Sequence, residues 1–296
     1  MKRSFWTWLA ALAIVALVGD RVAALGLEQL VLRSQLRFSR LYRGGMNNDL
    51  VIIGNSRGVN GFYAPLIQQR TGARTLNLSY NGMSAIAAEA VLDDYLDHNA
   101  RPRLIVFEVT NVYSNEDALK DLALFRFASP RLAALQREYH PRVAAACRVS
   151  HLIAFNNELF LRSLYYFRST DQDWVNRGHI DAALLASADT MHPVALALPP
   201  PNVAALVRSV SRARRDGIAV ELVVTPFLPA YRARLANFPQ WKASLQESLG
   251  APILDYSSAV SDDRDFGDRL HLNFAGSRVL LDRLMTDGVF ARAEHP

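Results

Sequence analysis

The sequence predicts an α/β fold with a parallel sheet behind an N-terminal apolar helix. Three observations carry this. Short, near-continuous apolar runs at 50–53, 104–109 and 218–224 alternate with longer stretches of helical spacing. Runs of that kind suit strands covered by helices on both faces. Finally, 50% of the 296 residues are hydrophobic and 21% charged, which supports a full core in one domain and argues against disorder.

From the N-terminus, Lys2 and Arg3 precede an apolar run over 5–19, with Trp6 and Trp8 near its start and Asp20 and Arg21 at its end. The run is short for a span of ~20 residues, but Val22–Leu25 extends it if Arg21 snorkels. No clean cleavage site follows, so residues 1–26 are expected to form an uncleaved signal-anchor. Residues 27–48 are expected to be a juxtamembrane amphipathic segment, with Arg33, Arg37 and Arg40 on one helical stripe. The rest, 49–296, is the main domain.

Within it, 50–53 is the first strand. Pro65 opens a helix at its N1 position, and Thr71 and Gly72 end it. Residues 74–79 are the second strand, closed by Asn81 and Gly82, and 84–96 an Ala- and Leu-rich helix. Residues 104–109 are the third strand. The alternation then lapses into a mostly helical insertion over about 116–200, with helices expected at 119–127, 131–138 and 143–167. The Leu-Pro-Pro-Pro stretch at 198–201 is expected to end it. Val203, Leu206, Val207 and Val210 mark a helix that Gly217 closes. Residues 218–224 are a strand, Thr225 and Pro226 a turn, and Trp241 and Leu245 lie on another helix. A short strand at 253–254 and a final helix after Asn273 complete the pattern.

The net charge of +5 comes almost entirely from arginine. No dense basic tract with interleaved aromatics accompanies it, so nucleic acid is not expected as a partner. Cys147 is the only cysteine, which excludes an intrachain disulfide and a thiolate cluster. There is no His-x-x-x-His either, and neither a metal nor a cofactor is expected.

The chemistry centres on Gly54-Asn55-Ser56-Arg57-Gly58, a sharp turn with a serine at its tip after the first strand. It fits the Gly-x-Ser-x-Gly elbow of α/β-hydrolases. In that fold, however, several strands precede the nucleophile, and here only one does. The partner lies near the C-terminus, where Asp268 and His271 stand three apart before the last helix. One short loop can present both, with the carboxylate orienting the imidazole that takes the serine proton.

These residues resemble the SGNH (GDSL-like) hydrolase superfamily, whose four sequence blocks recur here in order. Ser56 matches the nucleophile block, Gly82 the glycine block, Asn111 the asparagine block, and Asp268 with His271 the Asp-x-x-His block. Two positions depart from the family pattern. Asn55 stands where the family has an acid, and Val-Thr-Asn111-Val replaces Gly-x-Asn-Asp. Both departures resemble the membrane-anchored branch of D-alanine transfer and alginate O-acetylation proteins.

The resemblance implies a three-layer α/β/α domain with flavodoxin-like layering. It also implies an oxyanion hole built from the backbone N–H groups of Ser56 and Gly82 and the Asn111 amide. Arg57 is either a contact for an anionic substrate or a surface ion pair, and Gly58 is incidental to the family match. The implied function is a serine O-acyltransferase or acylesterase acting on a cell-envelope polysaccharide. Alternatives are a stand-alone esterase or lipase, and a catalytically degenerate scaffold. An acyl donor, an envelope glycan and a membrane-bound O-acyltransferase are the implied partners. The expected location is the inner membrane, single-pass, with the main domain periplasmic or extracellular.

Overall fold

The structure, a computed structural model, describes residues 2–170 and 174–294. His295, read from sequence as a surface histidine, lies outside them. The chain divides into two compact units, residues 44–118 with 171–296 and residues 1–43 with 119–170.

The larger unit is an α/β structure around a five-stranded, all-parallel sheet. Its strands are β1 (Leu50–Ile53), β2 (Thr75–Asn77), β3 (Leu104–Glu108), β4 (Ala219–Val224) and β5 (Leu254–Asp255), in the order β2-β1-β3-β4-β5. Ile53 stands opposite Phe107 in the register of β1 with β3. Every residue of β1 and β3 is buried, as continuous apolar runs require. Leu50, Ile52, Leu104, Val106 and Val223 share one core with Leu280, Leu281 and Leu284 of the final helix, Phe274–Thr286. At the start of β1, Asp49 receives two 2.9 Å hydrogen bonds from the Arg74 guanidinium, a forked pair that ties β1 to the start of β2.

The strand before Gly82 is shorter than the apolar pattern suggests. β2 stops at Asn77 because the Asn77 side chain turns inward. It accepts from the Ser79 N–H at 2.9 Å and donates to the carbonyls of Gly58 at 2.9 Å and Phe62 at 2.8 Å. Pro200 opens a helix, Pro200–Arg215, where the Leu-Pro-Pro-Pro stretch was expected only to end a region. The reason is local: proline's fixed φ suits the first helical turn, whose N–H groups have no partner in any case.

The smaller unit contains the helix Lys2–Arg33, long and apolar enough to cross a membrane. The expected amphipathic stripe over Arg33, Arg37 and Arg40 does not continue along one helix. The chain breaks at Ser34, whose hydroxyl accepts the Leu36 N–H at 3.1 Å, and a separate helix spans Arg37–Arg43. Its Phe38, Leu41 and Tyr42 are buried, with Tyr42 stacked on Phe125. The single helix expected over 143–167 is instead Pro141–Val149, a 3-10 turn His151–Phe155 and Glu158–Tyr165. Asn157 starts the last of these by accepting the Phe160 N–H at 2.9 Å.

Candidate active site

Parallel strands present their carboxyl ends to one edge of a sheet, and ligands of such sheets bind there, at the point where strand order reverses. In this order the reversal falls between β1 and β3. Ser56 follows β1 by three residues, Asn111 follows β3 by three, and Gly82 lies in the turn after β2.

Ser56 is the first residue of a one-and-a-half-turn helix, Ser56–Gly61. Asn55 caps that helix, its side-chain oxygen accepting the Arg57 N–H at 2.8 Å. Asparagine is among the best residues for this position. Asn60 returns to the Ser56 carbonyl at 2.9 Å, and the Asn77 amide holds the helix from below. The glycines flanking Ser56 are sites of close approach. A Cβ on Gly54 would lie 2.6 Å from the Cβ of Glu108, and one on Gly58 would lie 2.4 Å from Ser79 Oγ. Gly58 is therefore a packing requirement.

The loop before the final helix brings in the partners. Asp268 Oδ1 accepts the N–H groups of Leu270 at 2.8 Å and His271 at 3.0 Å, so the carboxylate shapes the turn that carries the histidine. His271 Nδ1 lies 2.8 Å from Asp268 Oδ2, and His271 Nε2 lies 2.7 Å from Ser56 Oγ. The three side chains thus form one continuous hydrogen-bonded chain. Burial, the largest single influence on Asp268, pushes its carboxyl up. The hydrogen bond and charge of His271, with the two backbone N–H groups, outweigh it and hold the group below its ordinary value. Asn273 N-caps the final helix, accepting the Gly276 N–H at 3.1 Å, and the Gly267 N–H closes onto the His271 carbonyl at 3.0 Å.

A cavity of about 460 Å³ opens at Ser56, lined also by Asn60, Asn81, Gly82, Trp174, Asn176 and the Asp268–His271 pair. Gly82 adopts φ +68° with open space where a side chain would stand. Among the described residues, nothing accepts its N–H. Asn111 does not line this cavity. It is buried one strand over, 2% exposed, and its side-chain oxygen has no hydrogen-bond partner among the described residues. The Asn55 amide reaches the neighbouring Thr110 hydroxyl at 3.4 Å, which links the serine turn to the Asn111 turn. A larger cavity of about 570 Å³, beside Tyr256, Ser257, Arg232 and Arg283, contains none of these groups. Chemistry, not size, singles out the cavity at Ser56.

Arg57 is not a surface ion pair, and it does not line the cavity at Ser56. Its side chain is 5% exposed and turns beneath the site. Nη1 donates to the Leu270 carbonyl at 2.8 Å, Nη2 donates to the Thr225 carbonyl, and the guanidinium stacks 3.5 Å above the Phe227 ring. Its Nε lies 3.6 Å from Glu108, which is fully buried at the end of β3 and held by the hydroxyls of Thr110 at 2.7 Å and Thr225 at 3.3 Å. Burial pulls the guanidinium down to about 10, against the opposing pull of Glu108, so it stays charged at neutral pH. Burial likewise raises Glu108, against Arg57 and the two threonines.

Glu108, Asn60, Asn77 and Trp174 were not singled out from sequence. One signal was available for Glu108, a lone carboxylate inside an otherwise apolar strand, which needs a buried cation. Trp174 carried no signal. It stands at the cavity wall against Tyr80, with ring centroids 5.9 Å apart. Among the described residues, no three His, Cys, Asp or Glu side chains are grouped to hold a metal ion.

Fold and site together define an α/β protein with a parallel sheet and a Ser–His–Asp chain at its carboxyl edge. No protein-family model matches the sequence, and a search of curated proteins finds no match.

Proposed function

We propose that this chain is a membrane-anchored serine acyltransferase or acylesterase of SGNH type, working through an acyl-Ser56 intermediate on a cell-envelope polysaccharide. The observation that carries the reading is the 2.7 Å contact of Ser56 Oγ with His271 Nε2, backed by the 2.8 Å contact of His271 Nδ1 with Asp268. Ser56 Oγ attacks the ester carbonyl while its proton passes to His271 Nε2. His271 returns that proton to the leaving alcohol, and Asp268 stabilises the imidazolium between the two steps. A glycan hydroxyl or water, deprotonated by His271, then attacks the acyl carbonyl, and Ser56 leaves with the proton.

The N–H groups of Ser56 and Gly82 and the Asn111 amide are the proposed oxyanion donors. The first helical N–H has no partner within its helix. The open approach to Gly82 agrees with this assignment. A three-layer α/β/α domain, with the site facing the periplasm or cell exterior, completes the reading. Trp174 and the amides of Asn81 and Asn176 suit an acceptor with a flat apolar face and hydroxyl rims, as a sugar has. A membrane-bound O-acyltransferase is the proposed donor partner.

A fluorophosphonate probe on the full chain in detergent tests the nucleophile. Ser56 is expected to label, and Ser56→Ala to abolish labelling. Labelling that persists in Ser56→Ala overturns the assignment. An acyl donor offered with and without glycan then separates transfer from hydrolysis.

A further inference from the structure

Between Phe5 and Leu27, the helix Lys2–Arg33 carries charge only at Asp20 and Arg21. Arg21 does not snorkel along its own helix. It donates to the carbonyls of Arg148 at 2.8 Å and Val149 at 3.2 Å. Asp20 pairs with Arg21 and accepts from the Ser150 hydroxyl, the His151 N–H at 2.8 Å and the Leu152 N–H at 3.4 Å. All of these residues belong to the smaller unit. The one ionic interruption of the apolar helix is therefore satisfied by a single turn.

The hydrocarbon core of a bilayer is ~30 Å thick, or ~20 helical residues at ~1.5 Å each. On that rise the apolar run before Asp20 covers only about 22 Å, whereas continuing to Leu27 covers about 34 Å. Exposed Trp6 and Trp8 mark one interface. Val22 and Leu25, beyond the charged pair, are 63% and 60% exposed, as much as Leu12 in mid-run at 66%. A helix that spans over 5–27 therefore places Asp20 and Arg21 within about two turns of its membrane boundary, and the turn bonded to them goes with it. That turn exposes apolar side chains: Val149 is 77%, Ile153 41% and Leu152 37% exposed. Exposed Arg142 and Arg148 flank it, as a surface facing anionic headgroups requires.

We propose that residues 149–153 are seated in the headgroup–acyl boundary of the leaflet in which the helix ends, with Val149, Leu152 and Ile153 in contact with lipid. The smaller unit is then a second, monotopic membrane contact that fixes the depth of the span. This rests on the helix being a span and is independent of the catalytic reading.

The test uses the full chain with Cys147→Ala, in phosphatidylcholine–phosphatidylglycerol vesicles. Single cysteines carrying an environment-sensitive fluorophore are placed at Val149, at Leu12 and at exposed Ser261, with Ile153 as a second site should the Val149 variant fold poorly. A nitroxide high on the lipid acyl chain is expected to quench the probe at 149 several-fold more than at 261. Aqueous iodide is expected to show the reverse order, and a deep nitroxide to quench the probe at 12. Iodide quenching at 149 equal to that at 261, with 12 still lipid-quenched, overturns the proposal. Shielding from iodide without lipid quenching also overturns it, because a protein surface then covers the turn. A probe at 12 that no lipid nitroxide reaches removes the span and the proposal together.

Discussion

Arg57 holds Leu270 across the site, its Nη1 2.8 Å from the Leu270 carbonyl. The residue after Ser56 thus anchors the residue before His271. The serine–histidine separation is set by a buried guanidinium rather than by the loop alone, and that guanidinium is itself held by Glu108 and Phe227.

Arg57→Met is expected to destabilise the fold by about 3–5 kcal/mol, because Glu108 is left charged and buried without its partner. Urea unfolding measures this. Arg57→Lys keeps the charge but loses the fork that reaches both Leu270 and Thr225. Esterase assays of that variant should show kcat falling with KM nearly unchanged. A rise in KM with kcat unchanged would mean that Arg57 touches substrate.

Gly54→Ala is expected to cost more than Gly82→Ala. At 54 a Cβ meets Glu108 at 2.6 Å, and Glu108 is fixed by β3 and two threonines, so overpacking of about 1–3 kcal/mol follows. At 82 there is open space, and the cost is that of a left-handed backbone, about 1–2 kcal/mol. Thermal unfolding of the two variants gives the order directly.

Asp268 sets a pH dependence whose sign follows from its lowered carboxyl. Its contribution is complete above the unfolded value of ~3.9 and is lost as pH falls through the lower folded value. The stability gap between wild type and Asp268→Asn should be full at pH 7 and shrink below about pH 4. The carboxylate is 37% exposed, so screening keeps the gap under about 1 kcal/mol. Urea midpoints across a pH series measure it, and a gap that widens in acid contradicts the assignment.

Asn111→Ala is expected to reduce turnover by ~10²–10³, the usual effect of losing one oxyanion donor. The fold should hardly notice, because the side-chain oxygen it removes has no partner to strand. Equal loss of stability and activity would make Asn111 a structural residue.

What was legible in the sequence was local. Leu50–Ile53 was readable as β1 because four buried apolar residues end at a glycine, and Gly72 as a helix end because it takes φ +72°. Asp268 and His271 were readable as a pair because a three-residue spacing lets one carboxylate cap the turn and meet the ring. The fate of Arg57 was not readable. Beside an exposed turn, arginine looks like surface, and its burial depends on groups from the ends of β3 and β4. The same holds for Asp20 and Arg21, whose partners lie in a turn that the apolar pattern extends straight through.

That turn also has a consequence in time. Asp20 and Ser150 are 130 residues apart in the chain. At ~5–20 residues per second, a ribosome needs roughly 7–26 s to make the intervening segment. Until that segment is made, Asp20 and Arg21 lack the partners that the turn at 148–152 supplies. The insertion after β3 is thus a late clamp on the N-terminal helix.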